Sequence, residues 1–139
     1  MFRKNIRLKS YNYKSDGYYF ITICTARLKP YLVGENKKIA EKVLLSLSEN
    51  IKGVNIDFYI FMPTHLHFII VVLENSNLTV GEIIRRFKAY VTKETKIKPF
   101  WEWNYYEHVI RNEDALFKIR EYIKYNAEKH SIDLSEIDK

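Results

Sequence analysis

Cysteine, glycine and proline are all scarce: one, four and three residues respectively among 139. A single cysteine, Cys24, permits no internal disulfide and suits a reducing cytoplasm, the compartment expected for this chain. It falls in an apolar strand, where a buried, inert thiol is expected. So little glycine and proline, beside 47% apolar and 15% aromatic residues, excludes disorder and low complexity. No stretch approaches the roughly twenty consecutive apolar residues of a membrane span. The opening Met1-Phe2-Arg3-Lys4-Asn5-Ile6-Arg7 lacks the apolar core of a secretory signal. Nor does any helix pair a bare apolar face with a concentrated lysine face, which sets a membrane surface aside. Without internal repeats or a dividing linker, residues 1–139 read as one domain, with 1–16 a basic arm and 131–139 an acidic tail.

Acidic residues are also outnumbered, giving a formal charge of +6. That balance argues for a polyanionic partner, though not for a fold. Combined with the aromatic content it leans toward nucleic acid with unstacked bases, because aromatic faces stack on any exposed base. In the arm, Arg3, Lys4 and Arg7 precede Tyr11 and Tyr13. Such a segment is either a solvated extension or a flap on a phosphate backbone.

Most distinctive is Phe61-Met62-Pro63-Thr64-His65-Leu66-His67, followed by the apolar run Phe68 to Leu73. The β-branched and aromatic run reads as a strand, in which residues two apart share a face. His65 and His67 therefore lie side by side, with Leu66, Phe68 and Ile70 on the opposite face. Two imidazoles fixed in parallel can share a metal ion. A His-x-His pair also recurs by chance, so its weight depends on what else joins it.

Gly17 opens a strand, Tyr18 to Thr25, apolar on both faces. Asn36 is a candidate N-cap for a helix with Ile39, Ala40, Val43, Leu44 and Leu47 as its stripe, closed by a left-handed Gly53. Val54, Ile56, Phe58 and Ile60 then alternate with Asn55, Asp57 and Tyr59 as a half-buried strand. The tight Pro63-Thr64 link makes it an antiparallel hairpin with the histidine strand. Thr79 and Glu82 have capping-box spacing ahead of a second helix with Val80, Ile83, Ile84, Phe87 and Val91 inward. Arg85, Arg86, Lys88, Lys93 and Lys96 occupy its other faces, with no acid between Glu82 and Glu94. This is either a solvated face or one that binds phosphates. The aromatic stretch Phe100 to Arg111 ends in a short strand, and a last helix begins near Asn112 with Leu116, Ile119 and Ile123 inward. The first six elements make a ferredoxin-like α+β fold, an antiparallel sheet with two helices on one face. A C-terminal helix is left over.

That helix carries Tyr122 and Asn126, one turn apart beside its core stripe. Two imidazoles and one amide oxygen would hold a divalent ion and leave positions open for phosphate and water. A phenol with a pKa near 10 is a poor nucleophile at neutral pH. A metal that polarises the phosphate lowers the cost of attack. Alternatively, Tyr122 simply anchors the helix.

Met62-Pro63-Thr64-His65-Leu66-His67 resembles the Met-Pro-Asn-His-hydrophobic-His core of the single-tyrosine HUH transposases, and more closely that of the REP-associated tyrosine transposases. Tyr19-Phe20-Ile21-Thr22, Phe87-Lys88, Trp101, Tyr105 through Arg111, and Glu121-Tyr122-Ile123 with Asn126 extend the resemblance along most of the chain. It implies His65, His67 and Asn126 as ligands of Mg²⁺ or Mn²⁺, Tyr122 as nucleophile, and cleavage of single-stranded DNA near a hairpin. The implied intermediate is a 5′-phosphotyrosine with a released 3′ hydroxyl, and reversal rejoins strands. It implies too a ferredoxin-like fold, and either a monomer or a homodimer that exchanges the tyrosine helix. Thr64 replaces the family's usual Asn, Glu102 stands where Gln commonly follows Trp, and Ala127 replaces a common Pro. None removes a proposed catalytic atom, although Glu102 puts DNA specificity in question. His108 shares its strand face with Tyr106 and Ile110, which favours a structural or DNA-contact role over a fourth ligand. The main rival is a ferredoxin-like module that grips structured single-stranded nucleic acid without cutting it. A two-histidine phosphoesterase would need two separate His-x-Thr/Ser motifs, and here there is one His-x-His.

Overall fold

In the computed structural model, residues 17–128 are described. The basic arm 1–16, with Arg3, Lys4 and Arg7, and the tail 131–139 lie outside the described residues. The chain runs β1 (Gly17–Cys24), a short 3-10 turn (Ala26–Leu28), α1 (Gly34–Asn50), β2 (Val54–Met62), β3 (His65–Val72), α2 (Val80–Thr95), β4 (Tyr106–Ile110) and α3 (Glu113–Glu128). The strands form one open antiparallel sheet in the order β2-β3-β1-β4. This is the ferredoxin-like arrangement expected from the sequence. Pro63 and Thr64 close the β2–β3 hairpin, with Met62 opposite His65.

Each sheet face has its own core. On one, Ile21, Ile23, Leu66, Phe68 and Ile70 are sealed by Leu44 and Leu47 of α1 and by Ile83, Ile84, Phe87 and Val91 of α2. On the other, Phe20, Ile69 and Ile110 meet Leu116, Ile119 and Ile123 of α3. The leftover helix thus closes the face the other two leave bare. At its start, Asn112 Oδ1 accepts the Ala115 N–H at 2.8 Å. The capping box of α2 is also present: Thr79 Oγ1 accepts the Glu82 N–H, and Glu82 Oε1 accepts the Thr79 N–H. No helix among the described residues is long and apolar enough to cross a membrane.

Three expectations need correction. α1 begins at Gly34 after Val33, so Asn36 lies inside its first turn and does not cap it. Gly34, at φ +56°, turns the chain into the helix earlier than a side-chain cap would. Gly53 is left-handed at φ +78°, but it sits in the turn beyond Ile51, which already caps α1 in an extended conformation. A Cβ there would collide with the Asn75 side chain and lie 2.9 Å from the Ser76 amide nitrogen. Finally, β2 does not alternate throughout. Ile56 pairs with Ile70 and Phe58 with Ile69, leaving Asp57 as an extra, bulged residue. The inserted residue switches sides: Val54, Ile56, Tyr59 and Phe61 face α1 and α2, whereas Phe58 and Ile60 face α3.

Candidate functional site

Register fixes the site. Across the sheet, Ile60, His67, Thr22 and Tyr106 form one row, and Phe58, Ile69, Phe20 and His108 the next. All of them point toward α3, and His65 does too, two residue pairs nearer the hairpin. The two imidazole centroids are 4.8 Å apart. On the opposite face Leu66, Phe68 and Ile70 are fully buried, a rigid floor beneath the pair.

Each imidazole is oriented by a threonine. Thr22 Oγ1 lies 2.9 Å from His67 Nδ1, and Thr64 Oγ1 lies 3.0 Å from His65 Nδ1. With both Nδ1 atoms engaged, the Nε2 atoms are the ones left for a ligand, the usual way a second residue sets a metal-binding tautomer. Thr64, which stands where the transposases it resembles carry asparagine, makes one of these two contacts. His67 is 1% exposed. Burial, aided by the neighbouring His65, lowers its pKa to about 3, and burial lowers that of the half-buried His65 as well. Both rings are therefore neutral at pH 7, the form in which imidazole binds metal.

α3 lays Tyr122 against this pair. Its ring centroid is 5.9 Å from that of His67 and 6.2 Å from that of Phe20. Phe20 also stacks on His67 at 5.8 Å and meets Tyr106 edge-on at 6.1 Å, so one phenylalanine sets the spacing of three polar rings. The Tyr122 hydroxyl oxygen is buried in this arrangement. One turn on, Asn126 is buried at 2% exposure, and its Nδ2 has no hydrogen-bond partner among the described residues. An orphaned buried amide is costly unless something else satisfies that side chain.

The helix is held in place by the bulge. Arg120, two residues before Tyr122, donates from Nε to Asp57 Oδ2 at 2.8 Å and from Nη2 to Asp57 Oδ1 at 3.0 Å. Its guanidinium also lies 5.5 Å from the Phe58 ring centroid. The hydrogen bond to Asp57 raises the Arg120 pKa further.

Among the described residues, no third His, Cys, Asp or Glu joins His65 and His67. His108 thus stays apart from the pair. A divalent ion here would rest on His65, His67 and the amide oxygen of Asn126; the orphaned Nδ2 is a hydrogen-bond donor and leaves that role to Oδ1.

The basic residues of α2 do not join the site. Arg85, Arg86 and Lys93 are exposed, but on the helical layer covering the other sheet face. Lys88 is committed elsewhere. Its Nζ donates to the carbonyl oxygens of Glu102, Trp103 and Asn104 at 2.8, 3.1 and 3.2 Å, which uses every N–H it has. Lys88, expected to contact phosphate, here pins a loop. Glu102 Oε2 accepts the Arg27 N–H at 2.7 Å. Cys24 is half-buried, less than expected, and burial raises its thiol pKa. Asp57 and Arg120 carry no motif, and the stretch Tyr19-Phe20-Ile21-Thr22 entered the resemblance with no role given to Phe20 or Thr22. The two-residue spacing of Phe20 and Thr22 on an apolar strand is the only sign that they face the histidines.

No family model matches the chain. An uncharacterized protein of Haemophilus influenzae is 36% identical, over 89% of this chain and 87% of that protein. Among solved structures, a REP-associated tyrosine transposase bound to a REP hairpin superposes with a TM-score of 0.75 at 21% identity, covering 90% of this chain and 75% of that one. A candidate transposase from Deinococcus radiodurans R1 superposes at 0.59 with 15% identity, covering 86% and 97%.

Proposed function

We propose, for a chain that belongs to one family with this Haemophilus protein and has the fold of the two transposase structures, that it cleaves and rejoins single-stranded DNA beside a hairpin. The observation that carries this reading is the Tyr122 ring 5.9 Å from His67, with both residues from one chain. No tyrosine helix from a second copy is needed to complete the site, which favours a monomer over a helix-exchanging homodimer.

The chemistry is a transesterification. The Tyr122 oxygen bonds to phosphorus, the bond from phosphorus to the 3′ oxygen breaks, and the departing 3′ oxygen takes up a proton. The reverse attack by a 3′ hydroxyl restores the strand and frees the tyrosine. His65, His67 and Asn126 would hold Mn²⁺ or Mg²⁺, whose contribution is to polarise the phosphate and offset the developing negative charge. Thr22 and Thr64 keep the imidazoles turned for that task, and Phe20 fixes their distance from the phenol. Because the Tyr122 hydroxyl is buried against the sheet, α3 must ease away before a phosphate can reach it. Among the expected phosphate contacts, Arg85, Arg86 and Lys93 would serve DNA passing over the opposite layer.

The test is a denaturing gel. Tyr122→Phe should abolish the covalent protein–oligonucleotide adduct while hairpin binding survives, and an adduct at full yield would reject Tyr122. His65→Ala and His67→Ala should each remove metal-dependent cleavage. A second reading, a hairpin-binding module that does not cut, is favoured by the burial of that same hydroxyl. It predicts chelator-insensitive binding with no cleaved product.

A further inference from the structure

A groove of about 740 Å³ opens between the C-terminal half of α2 and the loop 96–103. Its size falls within the roughly 300–1,000 Å³ of small-molecule sites. Lys93, Lys96 and Lys98 rim it, Pro99 and Trp101 line it, and Trp103 stands at its side. Among the described residues none of those three lysine ammonium groups donates to a carboxylate or carbonyl. One carboxylate, Glu102, lies in the lining, and it is tied to the Arg27 amide.

Trp103 is the unusual member. Its side chain is 87% exposed, the most exposed of the large apolar side chains in the described chain. Yet its backbone is anchored, because Lys88 binds its carbonyl and those on either side. An indole in water on a pinned backbone contributes nothing to the core. As a stacking surface it is already in place, with little ordering left to lose on binding.

The groove also leads to the histidines. Glu102 donates its N–H to the Cys24 carbonyl at 2.9 Å, and Thr25 forms a bridge with Trp101. Thr25 in turn donates its N–H to the Thr64 carbonyl at 2.9 Å, and Cys24 pairs with His65. Groove and imidazoles therefore share the same end of β1.

We propose that this groove binds an unpaired nucleotide of single-stranded DNA, with its base on the Trp103 indole and its phosphates against Lys93, Lys96 and Lys98. The choice of DNA rests on the strand-transfer reading above. The chemistry of stacking plus backbone charge rests on the groove alone. Three lysines and one exposed aromatic complement a polyanion that carries flat bases better than a neutral ligand.

The experiment uses the full chain and a short fluorescein-labelled oligothymidylate, read by fluorescence anisotropy. Binding should raise the anisotropy, and Trp103→Ala should weaken affinity about 5- to 150-fold. Because the indole is exposed, that variant keeps its core. Replacing Lys93, Lys96 and Lys98 by Gln should flatten the log–log salt dependence by about 0.7 for each phosphate no longer neutralised. Unchanged affinity in Trp103→Ala would overturn the proposal, as would equal competition by a polyglutamate peptide of matched charge. The two readings separate cleanly. An adduct at Tyr122 with Trp103-independent binding sinks the groove alone, whereas Trp103-dependent binding without any adduct sinks strand transfer alone.

Discussion

Arg120→Ala tests whether the bulge holds the tyrosine helix. The pair it breaks is intermediate in character, with side-chain exposures of 35% for Arg120 and 19% for Asp57. A fully exposed pair contributes about 0–1 kcal/mol, and breaking a buried one costs about 3–5 kcal/mol. Two short bidentate bonds favour a value between, about 1–2 kcal/mol. The guanidinium over Phe58 adds about 0.5–1 kcal/mol. The total is about 1.5–3 kcal/mol, a sizeable share of an ordinary domain's 5–15 kcal/mol. At roughly 4 °C per kcal/mol for a chain of this size, Tm should fall by about 6–12 °C. The loss should also be local. Hydrogen exchange should quicken along α3 more than in β1 and β3, whose amides are paired within the sheet. A double-mutant cycle with Asp57→Asn isolates the pair, and a coupling under about 0.3 kcal/mol would refute the claim that these two side chains pin α3.

Thr22→Val, nearly isosteric and buried, should weaken Mn²⁺ binding about 10- to 100-fold while leaving the fold intact, as titration calorimetry can show. Equal affinity would mean that the Thr22 hydroxyl does not set the ring. In chelator, acid should destabilise the protein through His67. Its folded pKa, about 3, lies below the unfolded value of about 6.5, so the unfolded chain binds the proton first and stability falls as pH drops through that window. At pH 4.5 this amounts to about 2–3 kcal/mol, which urea midpoints should show in the wild type and not in His67→Gln. Lys88→Met should strip three carbonyls of their donor, cost about 1–3 kcal/mol and speed amide exchange in residues 102–104. Unaltered exchange there would show that the loop holds itself.

Hairpin, histidine pair and helix stripes were legible because each depends on spacing within one element. Pro63-Thr64 admits a single tight connection, and a His-x-His in a strand must share a face. The bulge was not legible. Val54, Ile56, Phe58 and Ile60 satisfy a period of two, and Asp57 looks like an ordinary outward residue. What decides the matter is pairing: Ile70 and Ile69 of β3 claim Ile56 and Phe58, and only long-range register reveals the extra residue. Lys88 misled for a related reason. On a helical wheel it extends the basic face, but its ammonium finds carbonyls contributed from fourteen to sixteen residues away. Partners that distant leave no local trace.

The bulge and the position of the phenol are one problem. With unbroken alternation in β2, Phe58 and Ile60 would join Val54 and Ile56 beneath α1 and α2, and the α3 face would be without those two apolar side chains. A helix with the stripe Leu116, Ile119 and Ile123 then has less to bury against, and at about 25 cal/mol per Å² its docking weakens accordingly. The extra residue turns Phe58 and Ile60 toward α3, and its carboxylate then meets Arg120 on the helix it helped to attract. Tyr122 lies two residues beyond that arginine and beside the stripe, so a helix seated this way has few other places to put its phenol than against Phe20 and His67. The approach of tyrosine to histidine therefore follows from a one-residue insertion on a strand that contributes no polar group to the candidate metal site.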